Sequence, residues 1–459
     1  MMKSARKGEL IFEERPFTHV LDHSQQSLRC HSCLERSEHL KKCTACGLLR
    51  YCSLACQRCD WPIHRRECPC LKQVAPNVPL DSVRLMLRIL IKTQLLEKED
   101  QSTTETVWRR TFHDLMSHIE EIQVDPSRSK QFAQIVYTLR ELCHSQLDLP
   151  PVTQLMEVFG KVTINSFMIC DGDLQAVGVG LYLGASYLDH SCQPNAVVSF
   201  QGQKLMVRAL RDIPEVRPSN IFISYTDQLA ITEDRQRQLK EQYYFSCQCC
   251  RCQDISLDRL LKSFVCPVPT CTGAVCRIQV GELLPCGSCG MNSYEESYRR
   301  KVEDTFHHLI QDLQQIEQAK KAKDLDKVLS LCQKCLNPDT VTVLHSNNLL
   351  HIQALDRGLD VAIDLGLWEQ ALKYGLQLIP LYIKVYPSGS PQVGLLLLKV
   401  GKLELYLQRL ECALQHLQQG ESIIRITHGR LHELYCQLSE LIDQCTDELR
   451  VHMEHSDPS

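Results

Sequence analysis

The sequence predicts an α+β fold: a β-rich core that carries a cysteine-rich insert and a helical insert, followed by an all-helical C-terminal part. Three observations predict it. Strand-like runs crowd residues 160–226, cysteines gather in two blocks of close pairs, and from about residue 295 apolar residues recur at helical spacing. At 459 residues the chain is long enough for roughly two to four domains. Charged residues make up 23% and hydrophobic residues 44%, an ordinary globular composition. The net charge of -4 excludes a global basic field that would draw the chain to nucleic acid. No run of about eighteen apolar residues appears, so no membrane span is expected. The opening MMKSARKGELIFEERPF is too charged for a signal peptide, and the expected location is cytoplasm and nucleus.

Residues 1–29 read as opening strands, because GELIFEERPFTHVL alternates and is rich in β-formers after a glycine turn. The next block is set by cysteine. Of 26 cysteines, nine lie within 30–70, ten within 192–289 and five in the remainder beyond. In a reducing compartment, close C-x2-C pairs argue for zinc rather than disulfides. Residues 30–68 hold Cys30 and Cys33, Cys43 and Cys46, Cys52 and Cys56, and His64 and Cys68. Four pairs supply two closed tetrahedral sites, because one tight turn can offer two sulfurs to one ion. The expected pairing is interleaved: Cys30, Cys33, Cys52 and Cys56 on one zinc, Cys43, Cys46, His64 and Cys68 on the other. Cys59 and Cys70 are left over. With so little apolar content, binding metal is also folding for this block. The basic run Arg58, His64, Arg65, Arg66 and Lys72 reads as a solvated face, with nucleic acid as the weaker alternative.

Residues 80–159 read helical. DSVRLMLRILIKTQLLEKE places apolar residues at three/four spacing with Asp81 as a cap, RSKQFAQIVYTLRELC repeats the pattern, and Pro150-Pro151 breaks it. Residues 160–226 then switch to strands, in GVGLYL, NAVVSF, KLMVRAL and NIFISY. In residues 227–254, Cys247, Cys249 and Cys252 form C-x-C-x2-C, three ligands that lack a fourth nearby. Cys192, in LDHSCQPN, is the natural fourth; Cys250 is a spare, or else replaces Cys249. Residues 255–292 carry Cys266, Cys271, Cys276, Cys286 and Cys289, which read equally as a further zinc ribbon or as a free-thiol loop. Residues 295–459 read as helical hairpins of irregular period, tetratricopeptide-like rather than a clean array.

Residues 30–68, with Tyr51-Cys52 after the second pair and Trp61-Pro62 before the histidine, resemble a MYND zinc finger. DHSCQPN, then strands, then ISYTDQL, then C-x-C-x2-C resemble a SET domain with its post-SET zinc site. A MYND finger inserted early in a SET domain is the plan of the SET-and-MYND (SMYD) family of protein-lysine methyltransferases, and the resemblance covers nearly the whole chain. INSFMIC, VGVGLY, EDRQRQLKEQYYFSCQC and ITHGR strengthen it. It implies a β-rich SET domain with an inserted MYND finger and helical insert, a post-SET zinc site and a tetratricopeptide-like C-terminal domain. It also implies methyl transfer from S-adenosylmethionine to a protein lysine, with three zinc ions and a fourth left open.

The resemblance assigns roles residue by residue. Asn165, Asp189, His190, Tyr243 and Phe245 would contact the cofactor, and the 189–190 segment would thread beneath a neighbouring strand. Tyr225 would be the catalytic tyrosine. Phe167, Tyr225 and Tyr243 would line the lysine channel. The implied substrate is a protein with a lysine tail, a histone or a signalling protein; proline-rich or chaperone-type peptides are further expected partners, and a monomer is expected. The sequence departs from the family in three places. The family's Gly-x-Gly turn has no counterpart in the seven residues before Gly8. Asp189 stands where the family has Asn, and it can accept hydrogen bonds but not donate them. Arg217-Pro218-Ser219-Asn220 replaces Gly-Glu-Glu-Leu. Weak cofactor binding is therefore expected, and the rival class is a non-catalytic adaptor that uses the finger and the helical domain. Cysteine-nucleophile catalysis at Cys192 is disfavoured, because a zinc-bound thiolate is committed to structure.

Overall fold

A computed structural model describes residues 4–98, 108, 110–144, 146–337, 340 and 342–456. The chain divides into two units. The first comprises Met1–His190, Pro194–Ile223 and Leu239–Ser246. Its opening residues form two strands that join different sheets. Leu10–Glu14 pairs antiparallel with Lys204–Ala209, which pairs with Ala196–Gln201; Thr18–Leu21 pairs antiparallel with Ala176–Leu181, which pairs with Ser166–Cys170. The switch falls at Arg15-Pro16, where proline has no N–H to continue the first ladder. Thr18–Leu21 is buried along its whole length instead of alternating, because the helix Asp81–Lys98 covers it.

Helices Asp81–Lys98, Pro126–Cys143 and Val152–Asn165 build one core with these strands, in which Val20, Leu87, Ile91, Leu139 and Leu155 are buried. Two details differ from the sequence reading. Asp81 is the first helical residue rather than a cap, and its carboxylate accepts the His23 amide at 3.2 Å. Residues 160–165, expected to open the strands, complete the helix Val152–Asn165 instead. Its apolar face packs into the core, and tertiary burial outweighs the β-branched composition there.

Asp189–His190 runs parallel to Phe222–Ile223. The departure at 217–220 forms a single 3-10 turn, Pro218–Asn220, which leads into that strand.

The second unit comprises Ser191–Gln193, Ser224–Gln238 and Cys247–Ser459. After the short helices Cys250–Gln253 and Ser256–Leu261 it carries a small antiparallel sheet of Ser263–Val265, Ala274–Gln279 and Glu282–Leu283. Helices Glu296–Lys321, Leu325–Cys335, Leu349–Asp364, Trp368–Val385, Pro391–Tyr406, Leu410–Thr427 and Glu433–Ser456 follow. Successive helices pack on one another, the arrangement expected of tetratricopeptide-like hairpins. Among the described residues no helix is long and apolar enough to cross a membrane.

Candidate metal centres and active-site frame

Two tight turns open the finger. Leu34 and Gly47 each follow a C-x2-C pair in left-handed backbone, at φ 65° and φ 70°, and each donates its amide to the first cysteine's carbonyl at 2.9 Å. Cys52 follows the strand Arg50–Tyr51, and Cys56, His64 and Cys68 stand on helix Leu54–Val74, capped by Ser53, whose hydroxyl accepts the Cys56 amide at 3.1 Å. The ligand atoms of Cys30, Cys33, Cys52 and Cys56 lie within 4.8 Å of one another, as do those of Cys43, Cys46, His64 and Cys68. This is the interleaved pairing read from the spacing. Sγ atoms of Cys33 and Cys52 are 3.8 Å apart, and those of Cys43 and Cys68 3.9 Å. Tetrahedral zinc with bonds of about 2.3 Å requires edges of about 3.8 Å, whereas a disulfide requires about 2.05 Å. The donor sets therefore fit zinc.

Behind the second site lies a buried ion network. His64 Nδ1 is 3.5 Å from the Glu67 carboxylate, which accepts from Arg84 Nε at 3.0 Å and Arg88 Nη1 at 2.8 Å. Arg88 also reaches Asp60, which accepts from the Tyr51 hydroxyl at 2.7 Å. His64 is fully buried and so leaves the basic run, of which Arg58, Arg65 and Lys72 are exposed. Cys59 is exposed, and Cys70 is buried in the core of the first unit.

In the second unit the sulfurs of Cys192, Cys247, Cys249 and Cys252 also lie within 4.8 Å of one another. Cys250 is exposed and donates to the Gln193 side chain at 2.8 Å, which leaves it out of the tetrad. The Gln236 amide group holds the Cys247 backbone on both sides, donating to its carbonyl at 2.6 Å and accepting its N–H at 2.8 Å. Arg235, which sequence reasoning missed, is 1% exposed. Its Nε donates to Cys192 Sγ at 3.3 Å and Nη2 points to Cys252 Sγ at 3.8 Å; Nη2 and Nη1 also donate to Thr232 Oγ1 at 2.8 Å and the Ala230 carbonyl at 2.5 Å. Four thiolates on one Zn2+ leave two net negative charges, and a buried guanidinium offsets part of that. Replacing Arg235 with Met should weaken zinc at this tetrad by roughly 10- to 100-fold, read as earlier zinc release to a chelator. Release unchanged from the parent would refute the role, and Arg235→Lys should fall between, since it keeps charge but loses the fork.

The Asp189–His190 segment is fixed by a residue the sequence reading passed over, Asn195, the Asn of the Pro-Asn turn. Its Oδ1 accepts the Phe222 amide at 2.7 Å, its own amide donates to the Phe222 carbonyl at 3.1 Å, and Nδ2 donates to Asn220 O at 2.6 Å. These bonds lash the DHSCQPN turn to the strand Phe222–Ile223. His190 is thereby buried, its ring 6.0 Å from that of Phe245, which lies 6.5 Å from Tyr243. Tyr243 ends the helix Thr232–Tyr243, and Tyr244, in left-handed backbone at φ 64°, turns the chain so that Phe245 meets both rings. Burial pushes the Tyr243 phenol up against the opposing charge of Arg128, so the ring stays neutral.

Asn165 ends the helix Val152–Asn165, with its amide donating to the Met116 and Lys161 carbonyls, each at 2.8 Å. Gln242 Nε2 donates to Thr163 O at 3.2 Å and so ties this helix to the segment bearing Tyr243. Phe167 packs edge-on against Tyr182 at 5.8 Å. Asp189 is exposed. Tyr225 is half-buried in the second unit, two residues beyond Ile223.

Comparison with known proteins agrees with this architecture. A MYND finger family model matches residues 30–68. The chain is 34% identical over 447 residues to "Histone-lysine N-methyltransferase SMYD3" of Mus musculus, covering 97% of this chain and 94% of the relative. It is 31% identical over 456 residues to "Histone-lysine N-methyltransferase ASHR1" of Arabidopsis thaliana, covering 96% and 92%, and 27% identical over 447 residues to "N-lysine methyltransferase SMYD2-A" of Danio rerio, covering 97% and 95%. These matches cover nearly the whole chain, and the chain belongs to the SET- and MYND-domain family of protein-lysine methyltransferases.

Proposed function

We propose that the chain transfers a methyl group from S-adenosylmethionine to the side-chain amine of a lysine in a protein, histone or non-histone, in the cytoplasm and nucleus. The observation that carries this reading is the Asp189–His190 segment paired parallel with Phe222–Ile223, with His190, Phe245 and Tyr243 gathered into one aromatic group. That group fits the cofactor's chemistry, because neutral rings attract a cation. When bound, S-adenosylmethionine supplies a methyl on a sulfonium, open to in-line displacement by a neutral amine. The chain's residues supply what that displacement needs. His190, Tyr243 and Phe245 offer the ring surface. Asp189 offers a carboxylate to the cofactor's ammonium end. Asn165 fixes the helix end that leads into the strand Ser166–Cys170. Phe167 and Tyr243 offer aromatic surface to the lysine, where desolvation would lower its pKa and favour the neutral amine. Tyr225, the family's catalytic tyrosine by resemblance, would offer its hydroxyl to the lysine amine during transfer. The two finger donor sets and the Cys192 tetrad would hold zinc, which would brace the frame.

The test is transfer of label from radiolabelled cofactor to core histones and to a panel of non-histone proteins. The parent chain is expected to label protein lysine, and Tyr225→Phe to reduce the rate by roughly 10²-fold. Absence of transfer by folded, zinc-replete parent would overturn the reading in favour of an adaptor.

A further inference from the structure

We propose that Cys266, Cys271, Cys286 and Cys289 bind a further zinc ion, and that this ion rather than a sizeable apolar core of its own holds the segment 266–294 in its fold. The four sulfurs lie within 4.8 Å of one another. Cys266 and Cys289 are 3.7 Å apart and Cys271 and Cys286 3.6 Å, close to tetrahedral edges and too long for disulfides. The backbone repeats the finger's own turn. Gly290 follows Cys286-x2-Cys289 in left-handed backbone at φ 74° and donates its amide to the Cys286 carbonyl at 3.0 Å. Gly47 does the same after Cys43-x2-Cys46, at φ 70° and 2.9 Å.

The second pair is presented by a different turn. Cys266 follows the strand Ser263–Val265 and donates its amide to Gly273 O at 3.0 Å; Cys271 donates to Val268 O at 2.9 Å, and the Gly273 amide points to Cys271 Sγ at 3.3 Å. A Cβ on Gly273 would stand 2.6 Å from Cys286 Sγ, so the chain closes around the sulfurs with no room for a side chain. Two pairs on adjoining ends of a three-stranded sheet make a zinc ribbon. The segment's own buried cluster explains why it needs one: its members are Cys266, Val275, Cys286 and Tyr294, half of them the proposed ligands. Cys276 lies on the strand Ala274–Gln279, outside the tetrad. A four-thiolate tetrahedral set suits zinc, and iron is the other metal with that preference.

The experiment uses the full chain. Zinc and iron per chain are measured by mass spectrometry for the parent, Cys286→Ser and Cys276→Ser. The expected result is loss of one zinc from Cys286→Ser and none from Cys276→Ser, whatever the methyl-transfer activity. Unchanged zinc in folded Cys286→Ser, or loss of iron in place of zinc, would overturn the proposal. Where Cys286→Ser does not fold, the parent is challenged with a mild chelator and a maleimide. Alkylation of the four cysteines should then track release of one zinc, and alkylation with zinc content unchanged would overturn the proposal.

Discussion

Glu67→Ala is expected to destabilise the first unit by about 3–5 kcal/mol, the loss typical when one partner of a buried ion pair is removed. Glu67 is fully buried and answers two guanidiniums, Arg84 and Arg88, that are themselves buried on the helix Asp81–Lys98. Truncation leaves both cations with Asp60 as the remaining carboxylate of the network. It also removes the oxygen 3.5 Å from His64 Nδ1, so zinc in the Cys43 site should weaken together with the fold. Glu67→Gln, which keeps hydrogen-bonding capacity without charge, should lose less. The measurement is the urea midpoint of the parent and both variants at fixed zinc, and coincident midpoints for parent and Glu67→Ala would sink the prediction.

The same network sets a pH dependence. Burial lowers His19 to about 4 and His31 to about 3, from 6.5. The unfolded chain therefore binds more protons below 6.5, and stability should fall as pH drops from there toward 4. Burial alone would raise the Glu67 carboxyl, but Arg84 and Arg88 outweigh it and hold it well below its ordinary 4.5. Its contribution is complete above 4.5 and is lost as pH falls through the folded value. Glu67→Ala should lack that lower segment and keep the upper one.

The ligands of these sites were legible because zinc binding is written in local spacing: a C-x2-C pair lies on one turn, as those before Leu34 and Gly47 do. What surrounds the ligands was not. Arg84 and Arg88 sit within an apolar stripe and look like the solvent side of an amphipathic helix. Their partners, Asp60 and Glu67, stand in a separate block, and only the packing of two helices brings them together. In the sequence His64 reads both as a zinc ligand and as part of the basic run; it is buried in the second donor set, so only the first reading stands. Arg235 lies in a helix of otherwise ordinary polarity, and nothing in TEDRQRQLKEQY tells which of two arginines faces sulfur. Asn195 was visible as a turn residue; that its side chain bonds a strand about 27 positions later depends on the parallel crossing. That His190, Tyr243 and Phe245 belong together comes from family resemblance rather than periodicity, since they share no repeat and their rings meet through a left-handed Tyr244.

Cys192→Ser is expected to remove one zinc per chain and reduce methyl transfer to background. A structural zinc contributes about 10–16 kcal/mol of apparent binding energy, and serine is a poor substitute for thiolate. The loss would not stay at the metal. Arg235 would keep its buried charge while its sulfur acceptor disappears, a second penalty at the same place. The tetrad also fixes the chain where the aromatic group leaves it: His190 lies two residues before Cys192, and Phe245 two residues before Cys247. Once these cysteines are no longer tied to one ion, both segments gain freedom, and a group that works by alignment tolerates little of it. Metal content and label transfer are measured on Cys192→Ser beside Cys250→Ser, whose exposed thiol lies outside the tetrad and whose loss should change neither. Full zinc content in folded Cys192→Ser would refute the assignment. Zinc loss with transfer intact would mean that the aromatic group holds its geometry through Asn195 and the Phe222–Ile223 pairing without help from the metal.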